Sequence, residues 1–245
     1  MMKIFNGCMS IPIYIDERMY QLGITEWLMW EPSKAPHIVI VGSTGSGKTY
    51  FSKSLLGKLA LYGEKPQLYV CDFKGDEDFS FLCGCKKFYR YTACEQGLEE
   101  FYQCFLNRQS GKSSERMMLV LFFDEWASYL NFVGKKKAEE EKGKLSNLLM
   151  LGRSFNVHVI ISQQRADAQY FSTARDNFNL VIGLGNLSPE SKEMLFHDYK
   201  EEMEANCGRG MGYTLSNGMN LKKILVPTIT NEKKLHNAIL SIVSN

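Results

Sequence analysis

Five short apolar runs punctuate the chain: HIVIVG at 37–42, LYVCDF at 68–73, LVLFFDE at 119–125, HVIISQ at 158–163 and LVIGLG at 180–185. Each is nearly continuous in β-branched, aliphatic or aromatic residues. That pattern predicts strands buried on both faces, as in a parallel sheet, rather than strands with one wet face. Helical stretches lie between them, at 48–62, roughly 94–108, roughly 140–154 and 188–205. Strand and helix alternate, so the expected fold class is α/β, a mostly parallel sheet with helices on both faces. The pattern divides the chain into a β-rich lead-in at 1–35 (with IPIYIDE), a main domain at 36–215 and a short extension at 216–245. The extension offers one short amphipathic helix at most.

Composition narrows this little. The 245 residues are enough for one large domain with a full core, and 44% apolar with 23% charged residues is ordinary for a soluble globular protein. No apolar run reaches the length of a membrane span, and MMKIFNGCMSIPIY lacks the apolar region of a leader, so a cytoplasmic protein is expected. Seven scattered cysteines fit reduced thiols. Cys83, Cys85, Cys94 and Cys104 lack paired C-x₂-C knuckles and read as buried thiols rather than a zinc site. His37 reads as a structural residue at the start of its strand. A net charge of +2 neither demands nor excludes nucleic acid. The segment KKKAEEEKGK (135–144) reads as a solvated loop leading into a helix, with a DNA-facing basic loop as the alternative.

The candidate chemistry is sharper. GSTGSGKT, residues 42–49, matches G-x-x-x-x-G-K-[ST] between an apolar strand and a helix expected to be amphipathic. Gly42, Gly45 and Gly47 let the backbone wrap an anion, so that the N–H groups of Ser43, Thr44, Ser46 and the helix start face phosphates. Lys48 brings a positive charge to the β- and γ-phosphates, and the Thr49 hydroxyl suits Mg²⁺. The run MLVLFFDEWASYL (118–130) delivers Asp124 and Glu125 to the carboxyl edge of the sheet, where α/β proteins bind ligands. Asp124 is the expected Mg²⁺ ligand, through water, and Glu125 the base that orients and deprotonates water. A second carboxylate favours hydrolysis over transfer to an acceptor. Gln164, just past a strand, is a candidate for the γ-phosphate or the lytic water. Arg153, just before that strand, points away from its own phosphate loop and is a candidate charge-stabilising finger for a neighbouring subunit, against an ordinary surface arginine. ATP and Mg²⁺ are the expected cofactors.

In order along the chain, these motifs resemble the FtsK/SpoIIIE family of DNA-translocating ATPases, within the FtsK–HerA superfamily. The likeness runs from about Lys34 to Leu215. APHIVIVGSTGSGKT resembles the family's strand and phosphate loop, and FFDEW its Asp-Glu strand. CDFK (71–74) is similar to its Asp-Pro-Lys segment, with Phe73 for proline. GRSFNVHVIISQQR resembles its arginine and Thr-Gln-Arg block, with Asn156 for glycine. CGRGMGYTL (207–215) is similar to its late Gly-x-Gly-x-Met turn. The resemblance implies a RecA-like motor core assembling as a ring, commonly a hexamer, around duplex DNA, with ATP sites between subunits. It makes Arg153 the trans-acting arginine finger and Gln164 a polar sensor, and brings Asp72 and Lys74 near the nucleotide edge. Neither N-terminal membrane spans nor a C-terminal winged helix fits this sequence, and Ala166 stands where Gln-Arg-Pro is usual. The reading is a DNA translocase stripped to its core, as in plasmids, integrative elements and viruses. Relaxase or capsid proteins are its candidate partners. The alternatives are a viral genome-packaging ATPase and, in another class, a nucleotide-switched assembly or secretion platform.

Overall fold

The central strands are apolar along most of their length, with polar residues mainly at their ends, because both of their faces are covered. In the computed structural model, which describes residues 9–204 and 206–244, the elements in chain order are β1 (Ile11–Asp16), α1 (Glu17–Gln21), β2 (Trp27–Trp30), β3 (His37–Gly42), α2 (Lys48–Tyr62), β4 (Gln67–Asp72), β5 (Phe88–Arg90), α3 (Cys94–Gln109), β6 (Leu119–Asp124), α4 (Trp126–Val133), α5 (Lys135–Leu151), β7 (Val157–Gln163), β8 (Leu180–Leu184), α6 (Pro189–Leu195), β9 (Met211–Ser216), β10 (Met219–Leu225) and α7 (Glu232–Val243). They build one sheet in the order β2-β1-β10-β9-β8-β3-β7-β6-β4-β5. From β8 to β5 the strands are parallel; β9, β10, β1 and β2 extend the sheet antiparallel.

Alternate residues divide between two cores, as the pleat requires. Val39, Val41, Leu121, Phe123, Val159 and Ile161 pack with α3, α4 and α5 on one face. Ile38, Ile40, Val120, Phe122 and Ile160 pack with α2 and α7 on the other. The expected α/β sheet with helices on both faces is therefore the observed architecture.

Several elements differ from expectation. The stretch 135–144 is the first half of helix α5, not a loop. Lys137 pairs with Glu141 at 3.1 Å one turn on, Lys144 with Glu141 at 3.2 Å, and both reach back to α3 at Glu95 (2.8 Å) and Glu99 (2.5 Å). Such i,i+3 and i,i+4 pairs stabilise a helix whose composition alone looks like solvated coil. The segment 188–205 breaks at Phe196 into α6 and a 3-10 turn, His197–Glu202. The extension from Ser216 holds a strand, β10, as well as helix α7. Its sequence MNLKKIL hid it, because β10 is half-exposed and carries Lys222 and Lys223, which pair with Asp16, Glu17 and Glu204. The lead-in strands β1 and β2 join the same sheet through β10. Helix α2 is not one-faced: Phe51, Ser52, Ser54, Leu55, Gly57 and Leu59 are all buried, because the sheet covers one side and α7 and β1 cover others. Among the four cysteines read as buried thiols, only Cys94 is buried; Cys83 is exposed, and Cys85 and Cys104 are half-buried. Cys83 lies in the turn after Leu82, and Cys85 packs against the edge of the core that holds α2 and α7. Among the described residues no three His, Cys, Asp or Glu side chains converge as a metal site, and no helix is long and apolar enough to cross a membrane.

Helix α7 packs so closely on α2 that a Cβ at Gly57 would stand 2.1 Å from Leu235 Cδ1. Gly57→Ala should cost about 1–3 kcal/mol by overpacking. Leu235→Ala should relieve part of it, so urea denaturation of the double variant should show less than the summed loss. The buried His37 accepts the Val159 N–H on Nδ1 at 3.1 Å, and burial, with the charge of His158 beside it, pulls its pKa down to about 3. The folded state thus holds His37 neutral where the unfolded chain, near 6.5, takes up a proton. This contribution is present above pH 6.5 and is lost as pH falls toward 3. Below pH 6.5 the stability of His37→Asn relative to wild type should therefore improve by about 1.4 kcal/mol per pH unit, read from denaturation midpoints at pH 7.5, 6 and 5.

Candidate nucleotide site

Strand β3 ends at Gly42, where the chain must turn at once across the carboxyl edge of the sheet. There is no room for a side chain: a Cβ would stand 2.5 Å from the Leu184 carbonyl oxygen and 2.6 Å from Ser46 Oγ. Gly45 and Gly47 take positive φ (83° and 100°), a region that costs a non-glycine residue strain. Gly47 caps α2 without a side-chain acceptor, so the first-turn N–H groups face the cleft. The Ser46 hydroxyl is buried with no hydrogen-bond partner among the described residues. Lys48 Nζ curls onto the loop, donating to the Gly42 carbonyl at 2.5 Å and the Ser43 carbonyl at 3.4 Å. Burial lowers its pKa, against the pull of Glu125 and Asp124. A ring of uncapped N–H groups, an orphan hydroxyl and a lysine fits a phosphate chain.

The loop opens into a cleft of 260 Å³ lined by Ser43, Thr44, Gly45, Gly47, Lys48, Thr49, Asp124, Glu125 and Gln164. The cleft thus brings together every sequence candidate of the site except Gly42, Ser46, Asp72 and Arg153. Burial pushes the Asp124 carboxyl up to about 7, with the Glu125 and Asp72 charges adding and Lys48 opposing. With the Thr49 hydroxyl it makes a hard-oxygen donor pair suited to Mg²⁺, whose charge would favour the ionised carboxylate. Glu125 adopts a left-handed backbone, φ 60°, and its N–H donates to the Ser162 carbonyl at 2.7 Å. A strained non-glycine residue at the mouth of a phosphate site is a functional marker.

Arg153 lies elsewhere. It is exposed in the turn Gly152–Phe155 that leads into β7. Since β7 runs parallel to β3, this turn is at the amino edge of the sheet, a strand length (about 20 Å) from the phosphate loop. Asp72 is buried and committed to structure: Oδ1 accepts the Gly75 N–H at 2.9 Å, and Oδ2 pairs with Arg90 at 3.5 Å. Lys74 does line the cleft, paired with Asp76 at 2.7 Å. Tyr50, Lys53, Asp76, Asp78 and Arg209 also line it and escaped the sequence reading. Only Arg209 had a signal, its place between two glycines in CGRGM.

The departures from the family pattern have local reasons. Asn156 takes the left-handed conformation, φ 54°, which asparagine tolerates best after glycine, and its Nδ2 donates to the Arg116 carbonyl at 2.8 Å. Ala166 donates its N–H to Ser191 Oγ at 3.1 Å, a bond proline lacks. Phe73 donates its N–H to the Asp124 carbonyl at 3.4 Å and packs against Tyr129 and Phe132. Gly42→Ala should displace the loop, costing about 1–3 kcal/mol and abolishing the rise in thermal midpoint caused by Mg-ATP; an undiminished rise would show that the contact yields.

Comparison with known proteins places this geometry. The FtsK/SpoIIIE family matches residues 4–212. The FtsK domain-containing protein YdcQ of Bacillus subtilis is 25% identical over 220 residues, which are 82% of this chain and 45% of YdcQ. The chain therefore spans less than half the length of that relative. The pCW3 conjugation coupling protein TcpA, solved with ATPγS, superposes with a TM-score of 0.72 at 20% identity, over 98% of this chain and 71% of TcpA. The cytoplasmic domain of the type VII secretion ATPase EccC from Thermomonospora curvata gives 0.70 at 20% identity, over 96% of this chain and 31% of EccC. With a RecA-like sheet, a phosphate loop and an Asp-Glu pair at its carboxyl edge, the chain belongs to the FtsK/SpoIIIE family of P-loop ATPases.

Proposed function

We propose that the chain is the ATPase core of a motor that moves double-stranded DNA and works as a ring, with each ATP site shared between subunits. The observation that carries this is the division of the site between two edges of the sheet. Lys48, Thr49, Asp124, Glu125 and Gln164 gather at the carboxyl edge, while Arg153 stands exposed at the amino edge. An arginine so placed serves no chemistry in its own subunit and suits the cleft of the next one.

In this reading the loop amides and Lys48 hold the triphosphate, and Thr49 and Asp124 hold Mg²⁺, which offsets phosphate charge. Glu125 orients and deprotonates water, Gln164 contacts the γ-phosphate end, and the neighbour's Arg153 stabilises the developing charge. Lys135 and Lys136 support a nucleic-acid partner. Both are exposed at the start of α5 and have no ion pair among the described residues. Cations at a helix N-terminus oppose its dipole, a local cost that an external polyanion offsets. A protein cargo is the competing reading, since the secretion ATPase EccC has the same fold.

Duplex DNA at low salt should raise the ATPase rate several-fold, with the increment shrinking steeply as salt rises. Lys135→Glu with Lys136→Glu should remove that increment. Glu125→Gln should bind ATP and remain assembled without turning over. Arg153→Ala and Lys48→Ala chains, each inactive alone, should recover activity when mixed, because a mixed ring contains intact sites. No DNA stimulation in an assembled, active ATPase would favour the protein-cargo reading; no recovery on mixing would remove Arg153 from the site.

A further inference from the structure

The cleft has a wall that the roles above leave unused, and one residue stands out on it. The turn Gly208–Arg209–Gly210 lies against the phosphate loop and is held from several sides. Gly210 N–H donates to the Ser46 carbonyl at 3.0 Å, Val226 N–H to the Gly210 carbonyl at 2.7 Å, and Gly185 N–H to the Met211 carbonyl at 2.8 Å. Cys207 N–H is fixed by Asn186 Oδ1 at 2.8 Å. The approach to the loop is close: a Cβ on Gly47 would stand 3.4 Å from the Gly210 nitrogen and 3.9 Å from Arg209 Cγ. The backbone that carries Arg209 is thus locked to the backbone of the phosphate loop.

The charges of the cleft make its side chain distinctive. Lys53 is paired with Asp78 at 2.8 Å and Lys74 with Asp76 at 2.7 Å. Lys48 is folded onto loop carbonyls. Arg209 is exposed, lines the cleft and has no ion-pair or hydrogen-bond partner among the described residues. The topology sets which side it approaches from. The turn leads into β9, beyond β8 on one side of β3, whereas Asp124 ends β6, beyond β7 on the other. Arg209 and Glu125 therefore flank the phosphate loop from opposite sides.

The geometry points to Arg209 as a second cation of the nucleotide site, acting within its own subunit on the non-terminal phosphates. A guanidinium offers two parallel N–H donors to a phosphate, a geometry that an ammonium lacks. This inference rests on the phosphate loop being the nucleotide site. It divides the positive charge between Lys48, over the loop, and Arg209, on the flank away from hydrolysis.

The test is equilibrium binding of Mg-ATP and Mg-ADP by calorimetry to wild type, Lys48→Ala, Arg209→Ala and Arg209→Lys. Arg209→Ala should weaken ATP and ADP by a similar factor, about tenfold or more, with Arg209→Lys between it and wild type. The thermal midpoint without nucleotide should be the same in Arg209→Ala and wild type, because the side chain is exposed. ATP and ADP affinities within twofold of wild type would overturn the assignment. So would a loss confined to ATP, which would move Arg209 to the γ-phosphate. Failure of wild type itself to bind, or full binding by Lys48→Ala, would sink the nucleotide-site reading instead, and the two failures are thereby told apart.

Discussion

The whole site depends on one steric requirement, that strand β3 end in a residue without a side chain. Gly42 meets the carbonyl of Leu184 on the neighbouring strand at a distance no Cβ could occupy. That contact lets the chain fold over the sheet edge and begin a helix six residues later at Lys48. Everything chemical is then referred to this turn. Asp124 reaches the edge because β6 runs parallel to β3 through β7. Glu125 is bent into the cleft by a left-handed backbone tied to Ser162. The turn at 208–210 is stapled to Ser46. The parallel sheet supplies rigid strand ends, and the glycines supply the only backbone able to pass between them.

The part legible in the sequence was the part in which one element decides the answer. Buried parallel strands are apolar along most of their length, so β3, β4, β6, β7 and β8 stand out as runs. The phosphate loop announces itself because its glycines, lysine and threonine each meet a separate physical demand at fixed spacing. What escaped was whatever depends on a distant partner. Strand β10 is written in lysines because its charges pair with Asp16, Glu17 and Glu204, far away in the chain. The first half of helix α5 looked like a charged loop because its stabilising pairs reach across to Glu95 and Glu99. Arg209 carried little signal, since only the tertiary contact between two glycine turns brings it to the cleft.

The same logic explains how the sequence departs from its family without losing the geometry. Phe73, Asn156 and Ala166 each stand where the pattern has proline or glycine, and each uses what the usual residue could not offer. Phe73 and Ala166 use a backbone N–H; Asn156 tolerates the left-handed turn and adds a side-chain amide. A motif is in this sense a set of backbone conformations and bond partners, and several residue types can satisfy it.

The tight seam between Gly57 and Leu235 has a mechanical meaning. Helix α2 presents Lys48 and Thr49 at one end and is gripped along its back by α7. Helix α7 therefore clamps the helix that follows the phosphate loop, starting at Glu232, which faces the cleft residue Lys53 at 3.7 Å. A load applied near Val243, whether from a fused domain, a docking protein or a surface tether, would pass through that seam to the helix that begins at Lys48 and Thr49. The remote end of the fold is in this way a handle on its reactive end.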